Sequence, residues 1–256
     1  MRRKSKPTGS ARPAPGRDPT FYIYGRHAVE AALKNPEREK RQLYGRPKAL
    51  AALGQSGIET LSLKIETAEN RRLAGLVGPE APHQGLVLEV RPLPGRHLED
   101  LEPDPLLPRN IVVALDQLSD PHNIGAIFRS AAAFGARGVL TTHDRAPGET
   151  GVLAKAASGA LEVVPWVRVT NLASALDKLA DMGYWRLGLE GTAEKRLAEV
   201  DLGSNLVLVL GGEGRGLRPR TKAKCDLLAR LEISGDMASL NVSNAAAVAL
   251  YALSRR

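Results

Sequence analysis

Three stretches of this chain carry residue types and spacings that could do chemistry. A run of leucine and valine, Leu206 to Leu210, stops abruptly in Gly211-Gly212-Glu213-Gly214-Arg215-Gly216, a glycine turn with one carboxylate. A strand ending in such a turn ends where open α/β sheets bind ligands. Farther on, Ser239-Leu240-Asn241-Val242-Ser243-Asn244 sets small polar side chains directly before the apolar run Ala245 to Leu253. That pattern is a helix start with several possible caps. Upstream, the apolar run Ile111 to Leu115 opens into the polar turn Asp116 to Asn123, and Arg129 follows six residues later. The glycine turn is not a standard phosphate loop: it lacks Gly-Lys-Ser/Thr, and its glycine spacing is not the dinucleotide fingerprint. Glu213 would also repel phosphate, so the turn better suits a cationic or hydroxyl-bearing ligand. Taken singly, Asn123, Ser239 and Asn241 are explained as helix caps and Arg129 as a solvated charge. Their combination is what points to a site.

The elements that must position these residues follow from periodicity. From Asn110 the chain reads as strands alternating with helices, the signature of a mostly parallel sheet covered on both faces. Strands are expected at Ile111–Leu115, Gly138–Thr141, Glu162–Val164 and Tyr184–Leu189, with helices over Gly151–Ala157 and Asn171–Met182. The helix after Asn123 carries Ile124, Phe128, Ala131 and Gly135 on one stripe, and Arg129 lies ~100° away from Phe128, off the packing face. Before residue 92 a smaller mixed α/β unit is expected: helices at His27–Leu33 and Lys48–Leu53, strands at Ile58–Leu63 and Leu86–Val90. Between them, Arg91 to Arg109 holds Pro92, Pro94, Pro103, Pro105 and Pro108 and reads as a linker. The expected division is an arm over 1–20, a small domain over 21–92, a linker over 93–109 and a larger domain over 110–256.

The formal charge of +8 suggests an acidic partner. Much of the excess sits in the first twenty residues, where Arg2, Arg3, Lys4, Lys6, Arg12 and Arg17 face only Asp18 among four prolines. Such a segment cannot bury enough apolar surface to fold and is expected to be a disordered basic arm. One cysteine, Cys225, excludes an internal disulfide framework and fits a reducing compartment. No apolar stretch approaches the ~20 residues that span a bilayer, so no membrane association and a cytoplasmic location are expected. His27 and His83 lack partners at ligand spacing and read as structural, and no metal site is expected.

Together the three stretches resemble the SpoU, or TrmH-type, family of RNA ribose methyltransferases. Asn123-Ile124-Gly125-Ala126-Ile127-Phe128-Arg129 matches its first motif, Leu208 to Gly216 its second and Ser239 to Ala245 its third. Tyr24-Gly25, His27-Ala28-Val29-Glu30 and His83-Gln84-Gly85 are similar to the ribosomal-protein-L30e-like RNA-binding domain of the bacterial large-subunit rRNA guanosine 2′-O-methyltransferases. The resemblance implies an α/β fold in which a small L30e-like domain precedes a SPOUT domain, with a parallel sheet and a deep trefoil knot at its carboxyl end. Such a knot is an exception to the rule against threaded loops. It implies S-adenosylmethionine as cofactor, held at Leu189, Gly191, Thr192, Leu210, Gly212, Ile233 and Leu240. It further implies catalytic roles for Asn123, Arg129, Glu213, Ser239 and Asn241, RNA as partner, and a homodimer formed through the knot region.

The implied reaction is in-line methyl transfer from the sulfonium to a ribose 2′-oxygen. Arginine is the family's proposed base, but a guanidinium with an ordinary pKa of ~12.5 is rarely neutral at pH 7. Stabilisation of developing alkoxide charge by Arg129 is the expectation adopted here. The implied substrate is a guanosine of 23S rRNA in the peptidyl-transferase region. The alternatives are a tRNA guanosine or rRNA adenosine 2′-O-methyltransferase of the same family and, in a different class, a non-catalytic RNA-binding ribosome assembly factor.

Overall fold

The computed structural model describes residues 20–58, 63–201, 203–212, 216–234 and 239–255. The first unit runs β1 (Phe21–Tyr24), α1 (Arg26–Lys34), β2 (Lys40–Gly45), α2 (Pro47–Gln55), β3 (Lys64–Thr67), α3 (Asn70–Val77) and β4 (Leu86–Val90). Its strands form one sheet in the order β1-β4-β2-β3, with β4 antiparallel to both neighbours and β2 parallel to β3. The expected strand over 58–63 is displaced. Ile58 is buried outside any strand, residues 59–62 lie outside the described residues, and pairing to β2 begins at Lys64. The basic segment before α2 contains β2, which its charged residues had disguised.

The second unit runs β5 (Asn110–Asp116), α4 (Pro121–Ala133), β6 (Gly138–Thr142), α5 (Gly151–Ala157), β7 (Trp166–Val169), α6 (Leu172–Asp181), β8 (Trp185–Leu189), β9 (Lys195–Arg196), β10 (Asn205–Gly211), α7 (Pro219–Lys222), β11 (Leu227–Arg230) and α8 (Val242–Ser254). The sheet order is β7-β6-β5-β10-β8-β11-β9, and every pairing is parallel. β5 and β10 sit at its centre and are apolar almost throughout, as strands covered on both faces must be. Alternation sends Ile111, Val113, Leu115, Leu206, Leu208 and Leu210 into a core shared with α4, α5 and α8. Val112, Ala114, Val207 and Val209 point the other way, onto α6. From edge strand β9 the chain returns to the centre as β10, then leaves again to β11, between β8 and β9.

Glu162–Val164 is not a strand. Ser158 and Gly159 take left-handed φ values of 53° and 95°, ending α5. A 3₁₀ turn over Ala160–Glu162 follows, and strand pairing starts only after Pro165, at Trp166. Three residues of mixed polarity are too few for periodicity to separate turn from strand. The proline-rich segment is packed rather than free: Leu98 and Leu101 are buried against the α6 side of the sheet.

Candidate active site

Parallel strands present their carboxyl ends together, and here those of β8, β10 and β11 meet the start of α8 around a cavity of about 920 Å³. Leu189 and Gly191 line it from the end of β8, Leu210 and Gly212 from the end of β10, and Ile233 from the segment after β11. Ser239, Leu240 and Asn241 close it from the entrance to α8. Six of the seven expected cofactor residues therefore converge. The seventh, Thr192, is exposed and lies off the cavity wall, its hydroxyl 3.4 Å from a carboxylate oxygen of Glu190.

The caps are divided in a way that composition did not show. Asp120, not Asn123, caps α4, accepting from the His122 amide at 3.0 Å. Asn241 caps α8: its Oδ1 accepts from the Ser243 amide at 2.9 Å and from the Ser243 hydroxyl at 2.6 Å. Its Nδ2 donates to Asn123 Oδ1 at 3.0 Å, tying the first motif to the third. Ser239 is exposed at the cavity and is not the cap of α8. Arg129 is exposed on α4 and does not line the cavity. Six residues beyond Asn123, it stands ~240° around the helix and ~9 Å along it. Glu213 lies outside the described residues.

The glycine turn is explained by crowding. A Cβ on Gly211 would stand 2.2 Å from the Gly216 carbonyl carbon, so only glycine lets the two sides of the turn touch. Asp116, fully buried at the end of β5, braces the same turn. Its main-chain oxygen accepts from the Gly212 amide at 3.0 Å, and its carboxylate accepts from the Arg218 amide at 2.9 Å and guanidinium at 2.7 Å. Sequence reasoning placed Asp116 in the polar turn without a role. Glu190, inside the expected cofactor loop Leu189 to Thr192, was given no role. It lines the cavity beside Leu189, and its Oε2 is buried without a hydrogen-bond donor among the described residues. Lys222 Nζ approaches that oxygen to 3.1 Å, outside hydrogen-bonding geometry. Position offered the only signal for both carboxylates: each follows directly on the apolar core of a strand at its carboxyl end.

Among the described residues no group of His, Cys, Asp or Glu could hold a metal ion. No helix there is long and apolar enough to cross a membrane. Cys225 is a half-buried free thiol whose pKa burial pushes up to about 12, so it is no nucleophile at neutral pH.

Residues 110–251 match the model of the SpoU rRNA Methylase family, and residues 22–95 match that of the RNA 2′-O ribose methyltransferase substrate binding domain. The 23S rRNA (guanosine-2′-O-)-methyltransferase RlmB of Pseudomonas putida is 38% identical over 240 residues, covering 90% of this chain and 94% of that one. The SpoU methyltransferase AviRb of Streptomyces viridochromogenes, solved with AdoMet, superposes with a TM-score of 0.78 at 23% identity, over 92% of this chain and 89% of that one. A crystal structure described as an RNA 2′-O ribose methyltransferase gives a TM-score of 0.76 at 25% identity, over 93% and 89%. The chain belongs to the SpoU rRNA methylase family: it is an α/β methyltransferase with an amino-terminal substrate-binding unit.

Proposed function

We propose that this chain methylates the ribose 2′-oxygen of a guanosine in 23S rRNA, in the cytoplasm, using S-adenosylmethionine and acting as a homodimer. The observation that carries the reading is the convergence of Asn123, Gly211-Gly212 and Ser239–Asn241, far apart in the chain, on one cavity edge. Identity of 38% to a guanosine-2′-O-methyltransferase supports the choice of base and RNA.

The cavity suits the cofactor. Leu189, Leu210, Ile233 and Leu240 offer apolar surface to an adenine, and Gly211-Gly212 lets main chain approach closely. On the wall Glu190 and Glu232 stand with Arg196 and Arg230, and Lys222 and Arg196 pair with the two carboxylates at 3.1 and 2.9 Å, so charges of both signs face a cofactor that itself carries both. When bound, S-adenosylmethionine supplies an electrophilic methyl group on a sulfonium. Asn241, held by Asn123, orients the ribose, while Asp116 keeps the glycine turn in place. Arg129 stabilises negative charge on the 2′-oxygen as its proton leaves.

Arg129 lies off its own chain's cavity, which supports a second copy presenting it across a dimer contact. On α8, Val248 and Tyr251 leave an apolar stripe exposed, 49% and 53%, leading away from the cavity, and this is the surface we assign to that contact. The return of β10 to the sheet centre after edge strand β9 supports the knot.

Mapping 2′-O-methyl groups in RNA from cells with and without the gene tests the substrate. Loss of one guanosine mark in 23S rRNA is expected. Loss of a tRNA or adenosine mark would replace the assigned substrate. An unchanged map, with no S-adenosylmethionine binding by calorimetry, would leave an RNA-binding assembly factor.

A further inference from the structure

The seam between the two units is built like a core. Arg38, in the first unit, is 1% exposed, and three of its four guanidinium hydrogen bonds go to carboxylates of the second unit. It donates to Glu162 through Nε at 3.1 Å and Nη2 at 2.7 Å, to Glu149 at 2.6 Å and to the Arg91 carbonyl at 2.9 Å. Glu149 in turn accepts from the Leu93 amide at 2.8 Å, and Asn35 donates to Glu162 at 2.9 Å, so both carboxylates are bonded across the junction. A buried charge that loses one such partner is left uncompensated, which makes this cluster intolerant of separation. The apolar part is equally close. A Cβ on Gly151 would stand 2.3 Å from the Tyr22 carbonyl oxygen, and one on Gly159 would stand 2.8 Å from Ala31 Cβ. Leu153, Ala154 and Ala157 share a continuous core with Ile23, Ala28 and Ala32.

Locking the units brings cations together. Lys155, on α5 of the second unit, donates to Gln84 Oε1 at 2.9 Å, and the same oxygen accepts from the Arg26 amide at 3.0 Å. Lys155 lies so close over Gly25 that a Cβ there would come within 2.3 Å of its ammonium. Arg46 flanks Gly85 in the same loop cluster. Arg26 is paired with Glu30 at 2.7 Å, whereas Arg46 and Lys155 have no ion-pair partner among the described residues.

We propose that the Arg38 cluster and the glycine-lined seam hold the two units as one rigid body, and that the lock assembles a single phosphate-binding face across the junction, with Lys155 of the methyltransferase unit completing Arg26 and Arg46 of the substrate-binding unit. This rests on the reading that RNA is the substrate. The ligand chemistry is the RNA backbone, held at a fixed distance from the methyl-transfer cavity. Arg38 is a positioning residue: it meets no RNA and acts through the orientation of the units.

The test uses the full chain, an in vitro transcript of 23S rRNA and filter binding across a salt series, with S-adenosylmethionine affinity measured by calorimetry. Lys155→Ala removes a part-exposed charge that does not line the cavity. It should lower the slope of log affinity against log salt by about 0.7–0.9, one phosphate contact, with cofactor affinity unchanged. Gly159→Val removes no charge, but it should open the seam in small-angle scattering and weaken RNA binding at least tenfold with cofactor affinity retained. An unchanged salt slope for Lys155→Ala overturns the proposal, and so does unchanged RNA affinity in an opened Gly159→Val. If Gly159→Val does not fold, the Lys155→Ala slope alone decides. Wild-type chain that binds RNA through this face but transfers no methyl group would sink the methyltransferase reading and leave the face standing.

Discussion

At the scale of single residues, Asn241 does two jobs with the two ends of one amide. Its oxygen caps α8 and its nitrogen reaches Asn123, so helix stability and site geometry depend on the same side chain. Arg129 is exposed on α4, so its replacement should separate chemistry from folding. Arg129→Ala should keep cofactor affinity and lower single-turnover methyl transfer by about 10² or more, the scale of removing one charge-stabilising donor. Unchanged single-turnover rates would sink its assignment. Tyr184 is 3% exposed and donates its hydroxyl to the Leu101 carbonyl at 2.7 Å, and burial pushes its pKa up to about 12. The folded state therefore resists ionisation that the unfolded chain accepts near pH 10. The stabilisation is complete below that pH and is lost as pH rises from 10 to about 12. Thermal unfolding should show a falling Tm over that window, and Tyr184→Phe should make the fall shallower.

At the scale of elements, the central strands carry the site. β5 and β10 pair in parallel from Asn110 with Asn205 to Asp116 with Gly211, which brings the polar turn after one strand onto the glycine turn after the other. Asp116 secures that meeting by holding Arg218 and Gly212. The turn has no spare room: Gly211→Ala would force its Cβ into Gly216 main chain, which no rotamer can relieve. Calorimetry should find S-adenosylmethionine affinity reduced at least tenfold in Gly211→Ala. Retained affinity would show that the turn is not part of the cofactor site. Behind it, Phe128 is fully buried on α4 and meets Trp166 edge to face at 5.3 Å, anchoring the helix that carries Asn123.

At the scale of the whole molecule, two sheets joined by a proline-rich segment behave structurally as neighbours in one core, with Leu98 and Leu101 of that segment buried as well. The first twenty positions carry six basic residues against one acidic one. Deleting residues 1–19 should weaken binding to 23S rRNA transcript and flatten its salt dependence, since fewer phosphates would be neutralised. An identical salt slope would show that this segment takes no part. The sequence alone determined the parallel α/β class, the long apolar strands at Ile111 and Leu206, helix α4 and the three motif segments, because each is written in local periodicity or in a contiguous run of residue types. It misread Glu162–Val164 and passed over β2, α3, β9 and β11, where short length or charged residues erase that periodicity. Only the tertiary structure decided that Asn123 meets Asn241, that Asp116 braces the glycine turn, that Glu190 faces the cavity and that Arg38 closes the seam. Those contacts join residues far apart in the chain, and no local pattern encodes which distant strands will lie side by side.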